Sequence, residues 1–269
     1  MARADVDELA PSITLSVDVE DEPDFDAFFT ERDHYFHTNY LTDAQAERDL
    51  TQVLDLLRLK PGDAVLDAGC GDGRLAVRLA LAGLNVTAVD HDAAQLERLR
   101  LHAVTSKVDV TAVECGLESL TLERAFDAAL LWFTTFGFLD DKTNEKILRR
   151  LSSSLRPSGR LVIDTLNPIA VERYVNEHPG DVETWHGSDV QIDRYRFDRL
   201  ANRLESKRTT IVNRVEEKRL LSLWLPSVAQ WRELFVRTGL EFSSIHGHGR
   251  RAWNEETWEM VLVAEAAER

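Results

Sequence analysis

The chain has 269 residues, 43% of them hydrophobic, and a formal net charge of −15. This length suits one large α/β domain with an appendage or a small insertion. The acidic balance disfavours a nucleic-acid partner, because affinity for nucleic acid depends largely on basic groups that neutralise phosphates. No stretch approaches the about 18 apolar residues that a membrane helix needs, and the acidic start lacks the pattern of a secretory signal.

The two cysteines, Cys70 and Cys115, do not have the spacing of metal ligands. We therefore expect thiols in a reducing cytoplasm rather than a disulfide, and no metal site.

The N-terminal part is predicted to be a tail followed by helices. Residues 1–22 are acidic with few large apolar groups, and we expect them to be loosely attached. An aromatic-rich helix is predicted from Phe25 onward and a second helix over 43–57, ended by Lys60-Pro61-Gly62.

Short apolar strands then alternate with helices. The pattern predicts strands over 64–67, 85–89, 108–113, 126–133 and 160–166, and helices over 74–81, 93–102 and 141–155. This alternation indicates a parallel sheet with helices on both faces.

The character of the chain changes after Asn167. Alternating polar and apolar residues over 181–225 predict an antiparallel insertion of two to four strands, and a helix over 226–238 precedes two closing strands, 240–245 and 258–264.

The segment Val65-Leu66-Asp67-Ala68-Gly69-Cys70-Gly71-Asp72-Gly73 joins the first of the alternating strands to its helix. Its glycines allow a tight turn and a close approach of backbone to a ligand, and the helix N-terminus behind them favours a carboxylate or phosphate. The acid before the first glycine and the Gly-x-Gly-x-Gly spacing differ from the Gly-x-Gly-x-x-Gly pattern of dinucleotide-binding proteins.

This segment resembles motif I of the Rossmann-like S-adenosylmethionine-dependent methyltransferases, whose pattern is close to V-L-D-x-G-C-G-x-G. Residues 86–90 resemble the second strand of that family with its terminal acid, 126–133 the fourth strand, and 155–161 the following helix–turn–strand. The resemblance covers residues 40–168. It implies an α/β fold with a seven-stranded, mostly parallel sheet and helices on both faces, to which this chain adds an N-terminal helical cap and a small antiparallel insertion after strand five.

The predicted domain organisation has four parts. Residues 1–45 form the tail and cap, 46–168 the cofactor-binding core, 169–225 the insertion, and 226–269 the closing helix and strands of the core sheet.

The resemblance implies S-adenosylmethionine as the cofactor. Asp67 is expected to organise its ammonium group and Asp90 to accept two hydrogen bonds from its ribose diol. The loop after strand three differs from the family, which usually has an Asp there for the adenine amino group, whereas this chain has 115–118 as Cys-Gly-Leu-Glu. The expected cofactor-binding residues are Asp67, Gly69, Cys70, Gly71, Asp90, His91, Gly116, Leu117 and Trp132.

The acceptor side of the site is less well defined by sequence. Tyr35, Tyr40, Phe133 and Asn167 are the predicted substrate contacts. A hydroxyl or acidic carbon needs a base near its proton, whereas an amine needs only to be neutral. His34, His37, His246 and His248 are the candidates for that base, and the sequence does not choose among them.

The cap and the insertion resemble those of small-molecule methyltransferases, including antibiotic and amino-sugar N-methyltransferases. We therefore expect N- or O-methylation of a small molecule in secondary metabolism by a cytoplasmic enzyme that binds neither nucleic acid nor membrane, with the insertion as a substrate roof or a homodimer contact. The alternatives are a methyltransferase acting on RNA or protein, a dinucleotide-dependent oxidoreductase, and a module that only senses the cofactor.

Overall fold

A computed structural model describes residues 16–17, 31–37, 42–123 and 125–267 of the chain. Its first elements are a short strand, β1 (Ser16–Val17), and two helices, α1 (Glu31–His37) and α2 (Asp43–Leu57). The bounds predicted for α2 are confirmed, and Thr42 caps it by accepting from the backbone amide of Gln45. The prediction of a loosely attached start is wrong for β1, which pairs in parallel with a strand of the insertion.

The next elements alternate as predicted. They are β2 (Ala64–Ala68), α3 (Ala76–Leu81), β3 (Asn85–Asp90), α4 (Ala93–Ser106), β4 (Val110–Glu114), β5 (Phe126–Leu131), α5 (Asp141–Ser154) and β6 (Leu155–Leu166). Asp92 and Asp140 begin α4 and α5, and each accepts two backbone amides of the first turn, the usual role of an acidic N-cap.

A helix that the sequence analysis missed follows β6. Residues 169–177, predicted from the sequence to belong to the antiparallel insertion, lie in α6 (Pro168–Glu177). Asn167 caps this helix through its side chain, and Pro168 occupies the first turn, where a missing amide costs nothing.

The insertion itself consists of four strands, β7 (Asp181–His186), β8 (Asp189–Asp198), β9 (Arg203–Val212) and β10 (Val215–Trp224). They form an antiparallel meander, extended by β1 in the order β1-β10-β9-β8-β7. We call this five-stranded sheet the insertion sheet.

The chain ends with α7 (Val228–Thr238), β11 (Leu240–His246) and β12 (Glu259–Ala266). The main sheet has seven strands in the order β11-β12-β6-β5-β2-β3-β4, and β12 runs antiparallel to both of its neighbours. The predicted fold class is therefore confirmed.

Hydrophobic cores cover both faces of the main sheet. One is built on α5 and α7, with Leu148, Trp231 and Phe235 fully buried, and the other on α2, α3 and α4, with Leu79 and Leu96 fully buried. None of the helices in the described ranges has the length and apolarity needed to cross a membrane. This arrangement leaves the carboxyl ends of β2, β3, β5 and β6 side by side at one edge, the edge where open α/β sheets bind ligands.

Candidate active site

The turn after β2 has a backbone that only glycine adopts readily. Gly69, Gly71 and Gly73 have φ values of +75°, +53° and +78°. The amide of Gly69 donates to the carbonyl of Val89 at 2.7 Å, and a Cβ at Gly69 would overlap the Thr135 side chain. The turn is therefore fixed closely against β3 and against the loop after β5.

Gly71 differs from its neighbours because it faces open space. A Cβ built there has no atom within 4 Å, while the Gly71 amide donates to Asp90 Oδ2 at 2.8 Å. The turn thus leaves room for a ligand directly beside the backbone.

Asp67 is the most unusual group of the turn. It is only 3% exposed, and its Oδ2 has no hydrogen-bond partner among the described residues. Burial and the nearby charge of Asp90 raise the pKa of Asp67 to about 7, although Arg74 acts in the opposite direction. A buried carboxylate with an unused oxygen calls for a cationic donor.

Asp90 ends β3 beside this turn. Its Oδ1 accepts from the Asp92 amide at 3.0 Å, and the largely exposed imidazole of His91 has Nδ1 3.4 Å from the same oxygen. Because each carboxylate oxygen has two lone pairs, both oxygens retain acceptor capacity for a diol.

The loop after β4 lies next to Asp90. The Cys115 amide donates to the Asp90 carbonyl at 2.8 Å, Leu117 packs half-buried against the core, and a Cβ on Gly116 would overlap the Glu118 carboxylate. Burial raises the pKa of the Cys70 thiol, so Cys70 acts as a neutral packing group at this edge.

The chain leaves β5 in a strained loop. Phe133 and Thr134 both have positive φ, +59° and +56°, which non-glycine residues adopt at a cost. Asp164 of β6 holds this loop, because its Oδ2 accepts from the Phe133 amide at 2.9 Å and its carbonyl accepts from Thr134 at 3.2 Å. The Arg74 guanidinium lies 5.9 Å from the Phe133 ring centroid.

Two of the four histidines predicted as bases, His246 and His248, lie where β11 ends at the carboxyl edge of the sheet, and of these His248 contacts a carboxylate of that edge. Its Nε2 lies 2.8 Å from Asp164 Oδ1, and its ring stacks on the buried Trp132 with 5.7 Å between centroids and 5° between planes. His246 contacts Ser244 Oγ instead, and burial lowers the pKa of His246. The side chains of His34 and His37 lie outside the described part of the chain.

The predicted substrate contacts separate in the structure. Phe133 is 38% exposed at the site, whereas Tyr35 lies on the insertion sheet, donating to Asp189 Oδ2 at 2.9 Å. Asn167 is fully buried, and its amide donates to the carbonyls of the 254–257 loop. The polar atoms of Asn167 therefore make hydrogen bonds within the protein. Tyr40 lies outside the described residues.

Asp164, Gln52 and Arg74 belong to this edge but were not predicted. Asp164 left a signal in the sequence, since it is the one acid in the apolar run 161–166. Gln52 left none, because its partners, the Gly247 carbonyl and the Gly249 amide, are almost 200 residues away. Arg74 directly follows the glycine turn in the sequence, and in the structure its guanidinium pairs with Asp49 at 2.8 Å.

The assembled edge is acidic and aromatic. Asp67, Asp90 and Asp164 face it from three strands, and Trp132 and Phe133 supply apolar surface. Within the described ranges, no group of three or more His, Cys, Asp or Glu residues is arranged to hold a metal ion. Three carboxyl groups beside apolar surface suit an organic cation with hydroxyl groups.

Comparison with known proteins agrees with this geometry. Residues 65–159 match a family model described as a methyltransferase domain. A ubiquinone biosynthesis O-methyltransferase from Xanthomonas axonopodis pv. citri is 38% identical over 113 residues, which are 41% of this chain and 46% of that enzyme. The chain thus aligns with less than half the length of this relative.

Two solved structures share most of the fold. The CcbJ methyltransferase from Streptomyces caelestis superposes with a TM-score of 0.70 at 24% identity, covering 84% of this chain and 92% of that one. CalS10, an amino pentose methyltransferase from Micromonospora echinaspora solved with S-adenosylmethionine bound, gives a TM-score of 0.63 at 16% identity, covering 89% and 98%. Residues 65–159 are thus similar to a methyltransferase domain, and the chain shares its fold with these two methyltransferases.

Proposed function

We propose that this chain is an S-adenosylmethionine-dependent methyltransferase that methylates nitrogen or oxygen of a small molecule in secondary metabolism. The observation that carries the proposal is the buried Asp67 carboxylate, whose Oδ2 has no partner among the described residues, inside a turn with open space at Gly71. A ligand with an ammonium group would satisfy this oxygen.

The residues at the edge divide into roles that fit such a cofactor. Asp67 would hold the ammonium group, the backbone of Gly69 and Gly71 the methionine part, and Asp90 the ribose diol. The further residues assigned to the cofactor are Cys70, His91, Gly116, Leu117 and Trp132. Bound S-adenosylmethionine would supply an activated sulfonium methyl group, so that the main task of the protein is to align the acceptor.

Asp67 argues against a dinucleotide, whereas Asp90 suits the ribose of either cofactor. A pyrophosphate placed on the glycine turn would lie beside the buried Asp67 carboxyl, and like charges at short range in a buried site repel strongly. A dinucleotide-dependent oxidoreductase is therefore the weaker candidate.

A small acceptor is supported by the surroundings of the site. Phe138, Val171, Leu223 and Leu225 form a separate buried cluster that packs α6 and the end of β10 against the loop after β5, the loop that carries Phe133. The structural neighbours include an amino pentose methyltransferase, and the relatives in sequence are O-methyltransferases, so both nitrogen and oxygen stay as proposed acceptor atoms.

The negative charge supports a partner that is not nucleic acid, because exposed arginines of the insertion sheet are already paired. Arg194 pairs with Asp181, and Arg196 with Glu205.

Both cysteines are free thiols, which supports a reducing, cytoplasmic setting. A homodimer through the insertion is a further proposal, and light scattering of the purified chain tests it.

The test of the proposed function is thermal unfolding with S-adenosylmethionine, S-adenosylhomocysteine or NAD. A ligand at 100 times its Kd adds about 2.7 kcal/mol of stability. We expect the first two ligands to stabilise the wild type, Asp90→Ala to weaken the effect, and the exposed control Asp109→Ala to retain it. Stabilisation by NAD alone, or by none of the three, would refute the proposal.

A further inference from the structure

His248 and Asp164 form a hydrogen-bonded pair at the acceptor side of the site. The two residues are 84 positions apart in the sequence, and Nε2 of His248 lies 2.8 Å from Oδ1 of Asp164. The Asp164 side chain is 4% exposed and that of His248 is 23% exposed. The carboxylate is thus shielded, while the imidazole retains access to the surface.

This contact defines which imidazole nitrogen is basic. An ionised carboxylate only accepts hydrogen bonds, so the proton of the neutral ring resides on Nε2. Nδ1 then carries the lone pair. A histidine oriented in this way by a carboxylate has the arrangement of a general base with its positioning group.

Three further contacts fix the position of the imidazole. Trp132 stacks on one face of the ring, and Gln52 of α2 clamps the loop on both sides of His248. The Gln52 amide donates to the Gly247 carbonyl and its oxygen accepts from the Gly249 amide, each at 2.9 Å. Asp164 is itself anchored by the Phe133 amide. The pair therefore packs against the loop after β5, and the same loop contacts the candidate cofactor turn through Thr135, which lies against Gly69 and donates to the Trp132 carbonyl at 2.7 Å.

The charges that face His248 come from three elements. Burial lowers its pKa, but the hydrogen bond and charge of Asp164 on β6, with the charges of Glu259 on β12 and Asp49 on α2, outweigh it, so the pKa of His248 is raised. Arg74 neutralises part of the Asp49 charge. A base with a raised pKa accepts a proton more readily near neutral pH.

We propose that His248 is the general base of the methyl transfer and that the acceptor is a hydroxyl group, with Asp164 as the positioning residue. The inference rests on the proposed function. As the acceptor oxygen bonds to the methyl carbon, the carbon–sulfur bond breaks with its electron pair left on sulfur, and the hydroxyl proton moves to Nδ1 of His248. A neutral amine attacks without a base, whereas a hydroxyl needs one, so a built base favours oxygen.

The first experiment locates His248 relative to the methyl group by NMR titration of histidine-labelled protein. The His248 signals are assigned by their loss in His248→Gln. S-adenosylmethionine and S-adenosylhomocysteine differ by the methyl group and one positive charge, so a base near that methyl has a pKa lower by about one unit in the first complex. The exposed His178 serves as the control and should titrate equally in both.

The outcomes separate the two proposals. If both ligands bind and the His248 pKa is the same in the two complexes, the base assignment is overturned while the proposed function stands. If neither ligand binds, both are overturned. In Asp164→Asn the His248 pKa should fall by about one unit or more, whereas Asp109→Asn should leave it unchanged. An unchanged pKa in Asp164→Asn would overturn the positioning role.

The second experiment measures S-adenosylhomocysteine release with phenols and sugars, each paired with its amino analogue. We expect transfer to hydroxyl members, a loss of at least about 100-fold in His248→Gln, and kcat/KM that rises with pH through the His248 pKa. In Asp164→Asn that rise should move to lower pH. Transfer to amines alone, at a rate unchanged in His248→Gln, would overturn the proposal.

Discussion

Asp33 of α1 and Arg219 of β10 form a two-point ion pair that joins segments 186 residues apart. Nη1 of Arg219 donates to Oδ2 at 2.8 Å and Nη2 to Oδ1 at 3.0 Å. Arg208 donates to the same carboxylate at 2.7 Å and also to Asp193 at 2.8 Å. All four residues are buried, so a buried network of alternating negative and positive charges links α1 to the insertion sheet.

Removal of the Asp33 carboxylate should therefore be costly. In Asp33→Ala two arginines lose their shared partner in a buried environment, and we expect the free energy of unfolding to fall by about 3–5 kcal/mol. Urea unfolding measures it. The matched control is Asp181→Ala, which removes an exposed two-point pair with Arg194, whose Nε and Nη2 donate at 2.7 and 3.0 Å. Solvent already screens that pair, so equal losses in the two variants would contradict the argument.

Gly71 and Gly62 allow the open space beside the motif turn to be tested. Both have positive φ, and a Cβ at either position meets no atom within 4 Å. Alanine at either site should lower stability by a similar amount, about 1 kcal/mol, because both backbones are left-handed. Only Gly71→Ala should also raise the Kd of S-adenosylhomocysteine, by at least about tenfold, since its methyl group enters the ligand space. Titration calorimetry measures the Kd of both variants. Equal Kd values in Gly71→Ala and Gly62→Ala would mean that the ligand binds elsewhere.

The sequence predicted the main sheet well because each strand and helix has a local signal. The apolar run at 126–131 and the caps at Thr42 and Asp140 depend on neighbours a few residues away. The missed helix α6 also had a local signal, the Asn167-Pro168 start, but the strand-like alternation that follows obscured it.

The acceptor side of the site was less predictable because its contacts are long-range. From the sequence, His248 is one of four candidate histidines. What distinguishes it in the structure is its contact with Asp164, 84 residues away, and the hold of Gln52 in α2 on its loop. Likewise, no sequence pattern around Asn167 indicates that its amide donates to the 254–257 loop. None around Tyr35 indicates that its hydroxyl contacts the insertion sheet.

Gln52 offers a direct test of how the His248 loop is held. Gln52→Leu removes both clamp hydrogen bonds and leaves the Gly247 carbonyl and Gly249 amide without these partners, which should cost about 1–3 kcal/mol per group left unsatisfied. The Gly249 amide should exchange with solvent faster by at least about tenfold, measured by hydrogen exchange. Gln45→Leu on the same helix removes only local bonds, one donated to Asp49 and one accepted from Arg48, and should leave this rate unchanged. Equal exchange in both variants would mean that Gln52 does not hold the loop.

Asp67 should make the ligand-free protein less stable as the pH rises. Burial raises its folded pKa from 3.8 to about 7, so the unfolded chain ionises first. Between these two values the folded state retains a proton that the unfolded state loses, and stability falls by about 4 kcal/mol before it levels off above pH 7. Asp67→Asn has no such proton and should be more stable than the wild type at pH 8, with the advantage disappearing near pH 4.

Urea unfolding of both proteins across this range measures the difference. His248 also contributes, because a histidine with a raised folded pKa stabilises the protein below its unfolded pKa and loses this effect as the pH rises through the folded value. That contribution is present in both proteins, so their difference isolates the Asp67 carboxyl. The same carboxylate must be ionised to hold an ammonium group, so the wild type should bind S-adenosylhomocysteine about tenfold more weakly at pH 6 than at pH 8. A stability difference that does not change with pH would show that the Asp67 carboxyl is not held in its neutral form by burial.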